Sequence, residues 1–395
     1  MNTPLRIALV HAADARSVRT WSGTAYFSKQ AFQQYVGDVV DLTPAPFSVT
    51  PYKVAGQVIK TLAGRRYDYA QDRPFAQRLG KHFSQILTQG KYDLVFSPAG
   101  SATLAYLQTD VPIIYYSDAT WRVLHDYYYC YTNVLPRMAK AADLFDRLSI
   151  ERASLALFSS DWAARSAVHD YQADPSKVHT VFIGANLMDP PTRAQALQRE
   201  ASDRIHLLMV GVSWENKGGA IALQTLQALL SRGKDAWLTV VGCKAPEGVE
   251  HPRMRVIPFL NKQIPAEQER FQALWRESTV FILPTRFEAA GIVFCEAGAY
   301  GLPVVATATG GVGSLVKEGV NGYTLSPESG GEEYAKKILE ITSDAGAYRQ
   351  LCHSSREEYE KRLNWDVWGA RVAEIIETQL PQFRGRTKWS MLQKK

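Results

Sequence analysis

Residues 280–325, VFILPTRFEAAGIVFCEAGAYGLPVVATATGGVGSLVKEGVNGYTL, predict a complete strand–helix–strand unit. VFILPT is too short for a helix and suits a buried parallel strand, and RFEAAG follows it as a loop that Pro284 opens. A helix is expected from about Gly291 to Tyr300, because Gly301 and Pro303 are typical of a helix end. PVVATA predicts the next buried strand. In such a βαβ unit, ligands bind at the carboxyl ends of the strands.

Two acids lie at that expected ligand edge, Glu288 in the loop and Glu296 in the helix. With a rise of about 1.5 Å per helical residue, Glu296 lies ~7 to 8 Å along the axis from the helix start. Free backbone N–H groups at a helix start bind phosphate well, which makes Ala290, Gly291, Ile292 and Val293 candidate diphosphate ligands. A nucleotide diphosphate held there would leave its sugar near Glu288 and its ribose near Glu296.

The alternative for both acids is a pair of solvated surface charges. Glu296 argues against that alternative, because the helix around it is apolar on nearly every side and an unpartnered carboxylate would be costly there.

The pattern Glu, seven residues, Glu, with EAGAYGLPVVAT, a Gly-Gly turn and EGVNGYTL after it, resembles the donor site of retaining glycosyltransferases of family 4. The resemblance covers most of the C-terminal half and, more loosely, the N-terminal half. It implies a GT-B fold, a nucleotide diphosphate sugar as donor, and retention at the anomeric carbon. It also implies that Glu288 orients the donor sugar or stabilises oxocarbenium character, and that Glu296 binds the ribose diol.

Length and composition limit the classes of protein. A chain of 395 residues with 46% hydrophobic and 21% charged residues predicts a soluble protein of two or three domains. The first apolar run is too short for a signal peptide, and no run is long enough to span a membrane. The four cysteines are widely scattered, which indicates a reducing compartment. We therefore expect a cytoplasmic protein.

Alternating strand-like and helix-like segments predict the fold class, α/β with doubly wound parallel sheets. Six strands are expected in the N-terminal half, in RIALVHA, DVVDLTP, LVFSPAG, IIYYSD, LALFSS and VHTVFIG. Five more are expected in IHLLMVGV, WLTVVGC, RVIPF, VFILPT and PVVATA. We predict a Rossmann-like acceptor domain at 1–186, a linker at 187–204, a Rossmann-like donor domain at 205–364, and a C-terminal helix with a basic tail at 365–395. Two such domains would face a cleft, and the terminal helix would cross back to the first domain, as the resemblance implies.

The second informative segment, VGVSWENKGGAIALQTL at 210–226, places Gly211, Ser213 and Lys217 in a loop between a strand and a helix. A lysine there can neutralise a diphosphate, although a solvated surface loop is the alternative. The resembling family usually has an arginine after the glycine, and Val212 stands in that place here. Lys262 and Arg286 are the candidates for the missing cation.

The remaining candidate site residues lie in turns. Phe259 and Leu260 follow the RVIPF strand, where the family contacts the nucleobase through backbone groups. Gly23 precedes a helix and permits close approach of a ligand, while the alternative is an ordinary capped helix start. Candidate acceptor residues are Asp118, Trp121 and His125, for which structural packing is the alternative.

Positive charge is concentrated between residues 51 and 91, where eight Lys or Arg residues stand against Asp68 and Asp72. Apolar and aromatic residues between them favour contact with an anionic membrane surface, and a solvated basic face is the alternative. No segment indicates nucleic-acid binding. Walker A, GxGxxG, HExxH and GxSxG motifs are absent, so ATP hydrolysis, hydride transfer, zinc proteolysis and esterase chemistry lack support.

We predict a retaining glycosyltransferase of glycan or glycolipid biosynthesis that uses a nucleotide sugar such as a UDP- or GDP-sugar, with Glu288 and Lys217 in its chemistry. The acceptor would be a sugar, a glycan or a lipid-linked molecule. No cofactor and no metal are expected, because no Asp-x-Asp pair stands at a strand end and a lysine with a helix start can replace the ion. The alternatives are an epimerase or phosphorylase of the same fold and a non-catalytic nucleotide-sugar-binding protein.

Overall fold

The computed structural model describes residues 3–198 and 204–393, and the chain separates into two compact units. Unit 1 consists of Met1–Asn186 and Trp365–Lys395, and unit 2 of Leu187–Asn364. Within the predicted linker, Arg193–Leu197 form a short helix, and residues 199–203 lie outside the described part of the chain. Lys394 and Lys395 of the predicted basic tail also lie outside it.

Unit 1 is built on a six-stranded parallel sheet with the order β2-β1-β3-β4-β5-β6. All six strands expected from the sequence are confirmed. β3 and β4 are buried on both faces, which is why they appear in the sequence as continuous apolar runs. The strands are Leu5–Leu9 (β1), Gly37–Asp41 (β2), Leu94–Pro98 (β3), Ile113–Ser117 (β4), Leu155–Phe158 (β5) and Val178–Thr180 (β6).

The helices of unit 1 cover both faces of this sheet. The C-terminal helix belongs to this unit, because Trp368 and Ile376 pack with Phe32 and Phe96 in one core cluster. The helices are Thr24–Ala31 (α1), Thr50–Ala63 (α2), Arg73–Gln89 (α3), Ser101–Leu104 (α4), Trp121–Leu124 (α5), Pro136–Arg152 (α6), Asp161–His169 (α7), Trp365–Gln379 (α15) and Lys388–Gln393 (α16).

Unit 2 has a second six-stranded parallel sheet, with the order β12-β11-β10-β7-β8-β9. The strands are Ile205–Val210 (β7), Ala236–Val241 (β8), Met254–Ile257 (β9), Val280–Leu283 (β10), Val304–Thr307 (β11) and Gly322–Leu325 (β12). The sequence predicted the first five. It did not predict β12, because this edge strand is short, partly exposed and preceded by a Gly-Val-Asn turn with no long apolar run.

The helices of unit 2 are Arg193–Leu197 (α8), Gly219–Ser231 (α9), Pro265–Glu277 (α10), Ile292–Ala299 (α11), Val312–Leu315 (α12), Gly331–Thr342 (α13) and Ala345–Arg362 (α14). α11 matches the helix predicted from the sequence. β10 pairs with β7 on one side and with β11 on the other. The loops that follow β7 and β10 therefore emerge side by side at the carboxyl edge of this sheet.

Candidate functional site

Two candidate site residues from distant parts of the chain meet at this edge. Lys217 follows β7 and Glu288 follows β10, and the lysine Nζ donates to Glu288 Oε2 at 2.5 Å. Only 14% of the Lys217 side chain and 8% of the Glu288 side chain are exposed. The backbone N–H of Arg286 also donates to the carbonyl of Asn216 at 2.8 Å, which joins the two loops directly. The structure thus pairs a partly buried cation with a buried carboxylate.

Glycines allow this pairing. A Cβ on Gly211 would lie 2.6 Å from Lys217 Cγ, so the lysine stem occupies the space that a side chain at 211 would fill. Gly218 has φ +76°, and a Cβ there would lie 2.0 Å from the carbonyl oxygen of Pro284. A larger residue at either position would lack space unless the loop shifted. At Gly218 the positive φ also favours glycine.

The start of α11 lies next to Glu288. Gly291 is the N-cap with φ 88°, and no side chain caps the first turn. A Cβ on Gly291 would approach Glu288 Cγ to 3.2 Å. The backbone N–H of Gly311, in the Gly-Gly turn, donates to the Glu288 carbonyl at 3.1 Å. Ala290 is buried, whereas Ile292 and Val293 are partly exposed. This first turn thus has the geometry that binds anions at helix starts.

Glu296 is also paired with a lysine. Lys262 Nζ donates to Glu296 Oε1 at 3.2 Å, and the carboxylate side chain is only 4% exposed. The same ammonium lies 4.3 Å from the centroid of the Phe271 ring. The buried carboxylate of Glu296 therefore has a cationic partner within the protein.

The two candidates for the missing cation differ in their contacts. Lys262 is 45% exposed at its side chain and contacts Glu296. Arg286 instead donates from its guanidinium to the carbonyl of Pro327. Val212, which stands where the resembling family has arginine, is 79% exposed. Of the two candidate cations, Lys262 is the one that contacts Glu296, a candidate ligand-binding acid.

The other donor-site candidates of unit 2 lie in turns. Phe259 is 68% exposed after β9, while Leu260 beside it is 9% exposed. Ser213 organises the loop before Lys217, since its Oγ accepts the N–H of Asn216 and its carbonyl accepts the N–H of Lys217. The exposed Phe259 ring is available for stacking.

Gly23 lies in unit 1 at the start of α1, in a strained segment. Trp21, Ser22 and Gly23 all have positive φ, at 48°, 54° and 91°. Asn186 Nδ2 donates to the Ser22 carbonyl at 2.8 Å, and Trp21 Nε1 donates to Asp118 Oδ2 at 3.1 Å. Thr24 Oγ1 is buried without a hydrogen-bond partner among the described residues. Strained backbone of this kind persists only where surrounding contacts hold it.

The three acceptor candidates have different surroundings. Asp118 follows β4 and accepts from the Trp21 indole. Trp121 is only 6% exposed and packs in a cluster with Val134, Met138 and Ala142, so ordinary packing accounts for its ring. His125 packs against Trp121 with ring centroids 5.1 Å apart, and its side chain is 37% exposed. Of the three, Trp121 does not offer a free face to a ligand.

Asp146 on α6 was not singled out from the sequence. Its carboxylate is buried and accepts the backbone N–H of Trp121 at 2.5 Å. The pKa of this carboxyl is raised to about 7, mainly by burial and also by repulsion from Asp143 and Asp118, while hydrogen bonds from Trp121 and Ser101 act in the opposite direction. The amphipathic pattern of α6 places position 146 on the helix face that packs inward, so the sequence contains a signal that this carboxylate is buried.

In the described ranges, 3–198 and 204–393, no cluster of three or more His, Cys, Asp or Glu side chains has the arrangement to hold a metal ion. None of their helices combines the length and hydropathy needed to cross a bilayer.

Known proteins resemble this chain in sequence and in fold. Residues 204–344 match the family described as glycosyl transferases group 1. The D-inositol 3-phosphate glycosyltransferase of Kribbella flavida is 28% identical over 234 residues, which are 55% of this chain and 55% of that protein. The chain thus spans about half the length of this curated relative.

Two solved structures have similar folds. The sucrose-phosphate synthase of Thermosynechococcus elongatus aligns with a TM-score of 0.66 at 15% identity, over 96% of this chain and 100% of that one. Anabaena Alr3699/HepE in complex with UDP and glucose aligns with a TM-score of 0.58 at 15% identity, over 95% and 100%. The predicted GT-B fold, with its two Rossmann-like domains, is confirmed.

Proposed function

We propose that this chain, which carries a group 1 glycosyltransferase domain at residues 204–344 of a GT-B fold, transfers a sugar from a nucleotide diphosphate donor to an acceptor. The observation that supports the proposal most is the meeting of Lys217 and Glu288 beside the uncapped start of α11. We further propose that the anomeric configuration is retained, as the resemblance implies.

In this mechanism, departure of the diphosphate is the step that the residues of unit 2 assist. Lys217 and the N–H groups at the start of α11 would donate to the leaving phosphate, each charged hydrogen bond contributing about 1.5 to 3 kcal/mol. Because Lys217 already lies against Glu288, a diphosphate competes with or joins an existing ion pair. Glu288 would then orient the donor sugar or stabilise positive charge at its anomeric carbon.

The nucleoside end of the donor would bind at Glu296. Its buried carboxylate accepts hydrogen bonds and suits the two hydroxyls of a ribose. Lys262 would remain beside it as the second cation of the site, in place of the arginine that Val212 replaces. Phe259 and Leu260 follow on the same edge and would contact the base.

The acceptor is proposed to bind in unit 1 near Asp118 and His125, which lie at and after the carboxyl end of β4. The strained turn that ends at Gly23 is tied to Asp118 through Trp21 and would contribute backbone groups to the same place.

Helix α2 supports a further part of the proposal, peripheral contact with an anionic membrane. None of its residues is buried, and its apolar stripe is exposed by 59% at Val54, 50% at Val58 and 82% at Leu62. Lys53 and Lys60 are exposed on the same helix. An apolar stripe flanked by lysines has the composition of a helix that lies in a membrane interface. The same surface suits a lipid-linked acceptor.

Ligand-dependent stabilisation and donor turnover test the function together. A nucleoside diphosphate at 100 times its Kd should stabilise the protein by about 2.7 kcal/mol, whereas the nucleoside alone should do much less. Slow release of nucleoside diphosphate from the intact donor, without acceptor, separates an enzyme from a binding protein. If ligands stabilised the protein but none of the tested donors and acceptors were turned over, the protein would be a nucleotide-sugar-binding protein and not a transferase.

A further inference from the structure

We propose that unit 1 carries a separate carbohydrate site, a groove along α3 that binds an uncharged oligosaccharide away from the reacting groups. The groove has a volume of about 640 Å³, and it is formed by one face of α3 and the segment after α4. The side chains that carry the argument are Gln77, Lys81, Gln85, Gln89, Tyr106 and Gln108. Such a site would be additional to the proposed transfer reaction and would not depend on it.

The floor of the groove is fixed by close backbone packing. A Cβ on Gly80 would lie 2.5 Å from the carbonyl group of Tyr106, so only glycine lets α3 approach this segment so closely. Ser84 Oγ donates to the Gly80 carbonyl at 2.6 Å and accepts the N–H of Gln108 at 2.8 Å. These contacts fix α3 and the segment after α4 relative to each other, so the groove is part of the fold.

The lining has the chemistry of carbohydrate recognition. Each of the four glutamine amides offers both a donor and an acceptor, which is what sugar hydroxyls require. In the described residues, these amides and the Lys81 ammonium are exposed to solvent and have no hydrogen-bond or ion-pair partner within the protein, so they are accessible to a ligand. Tyr106 Oη is also without a partner and is buried. The exposed amides and the ammonium are therefore the groups that a ligand hydroxyl would contact.

The same lining excludes other ligand classes. It contains one cation and no carboxylate, which is too little charge for a nucleotide or another strongly anionic ligand. A wholly apolar ligand would leave the amides unpaired. The methylene stems of the glutamines and Lys81 supply apolar surface for the C–H faces of sugar rings.

The position of the groove indicates its role. α3 ends at Gln89 and β3 begins at Leu94, so the C-terminal half of α3 lies toward the amino ends of the strands. Asp118 follows the carboxyl end of β4, and a five-residue strand is roughly 15 Å long. A glycan in the groove would therefore contact a part of unit 1 that lies far from the candidate acceptor residues.

Affinity electrophoresis of the full chain in native gels tests the proposal, with dextran, glycogen or galactomannan as neutral probes and polygalacturonate as the charged one. We expect at least one neutral polysaccharide to retard the protein. The apparent Kd should rise tenfold or more in the double variant Gln77→Ala/Gln85→Ala. Gln350→Ala, at an exposed glutamine of unit 2, is the matched control and should be retarded like the wild type.

Any of three results would contradict a carbohydrate site in the groove: no retardation by any neutral polysaccharide, equal retardation of the double variant and the wild type, or retardation by polygalacturonate alone. Glu288→Gln separates this inference from the proposed reaction, because loss of donor turnover in that variant should leave retardation unchanged. Stabilisation by nucleoside diphosphate should likewise be unchanged in the double groove variant.

Discussion

Lys217 Nζ and Glu288 Oε2 lie 2.5 Å apart although 71 positions separate the two residues in the chain. The pair joins the ends of β7 and β10, and neither side chain is more than 14% exposed. Each group satisfies the charge of the other before any ligand binds. A nucleotide diphosphate would therefore enter a site in which cation and carboxylate already have fixed positions, which reduces reorganisation during the reaction.

Lys217→Ala and Glu288→Gln should each lower kcat about 100-fold while changing KM much less, because both groups act on charge that develops in the transition state. Steady-state kinetics with the donor identified by thermal shift is the measurement. Lys29→Ala is the control, since the Lys29–Asp41 pair in unit 1 is also 2.5 Å long and similarly buried. Unchanged turnover in either site variant would remove that residue from the mechanism.

Gly211→Ala should lower turnover about tenfold or more without unfolding the protein, because the new Cβ would displace the Lys217 stem. The matched control is Gly313→Ala, where a Cβ meets nothing within 4 Å. Thermal unfolding and kcat are measured for both. Wild-type turnover in Gly211→Ala would show that the position of the Lys217 stem does not matter.

Glu296→Ala should weaken nucleoside diphosphate and intact donor by a similar factor, about tenfold or more, because both ligands contain the ribose. Titration calorimetry with each ligand is the test, and Glu340→Ala on the exposed face of α13 is the control. If the free nucleotide bound as tightly as it does to the wild type, the ribose role of Glu296 would be wrong.

Activity should survive excess EDTA, because Lys217 and the start of α11 would supply the positive charge that a divalent ion supplies elsewhere. Turnover is measured before and after chelation, and again after Mg²⁺ or Mn²⁺ is added. Complete loss on chelation that either ion restores would contradict this prediction.

Binding to vesicles should rise with the content of anionic lipid and fall in high salt, since each lysine near an anionic surface contributes about 1 kcal/mol. Val58→Ser/Leu62→Ser and Lys53→Glu/Lys60→Glu should each reduce co-sedimentation. These positions on α2 suit the test better than Arg66 or Arg78, whose side chains donate to Tyr129 and Tyr52. Equal recovery in the supernatant with and without anionic vesicles at low salt would leave α2 as a solvated helix.

Much of the fold could be predicted because strands buried on both faces leave continuous apolar runs in the sequence. Among the described strands, β3, β4, β5, β10 and β11 are buried at every residue and carry such a run, whereas β12 is a short edge strand with partial exposure. The basic region at 51–91 shows that composition alone does not predict which apolar residues are buried. It forms two helices, and Phe75 on α3 is buried in the core while Leu62 on α2 is 82% exposed.

The sequence by itself determined which residue types stand at the ends of β7 and β10, because the strand patterns and the glycines beside them are local signals. It also required a partner for Glu296, since an isolated carboxylate in an apolar helix is costly. Only the tertiary structure decided that this partner is Lys262, that Lys217 pairs with Glu288, and that Trp121 is enclosed by packing. These contacts join residues tens of positions apart, and sheet order and loop packing set them, which no local pattern records.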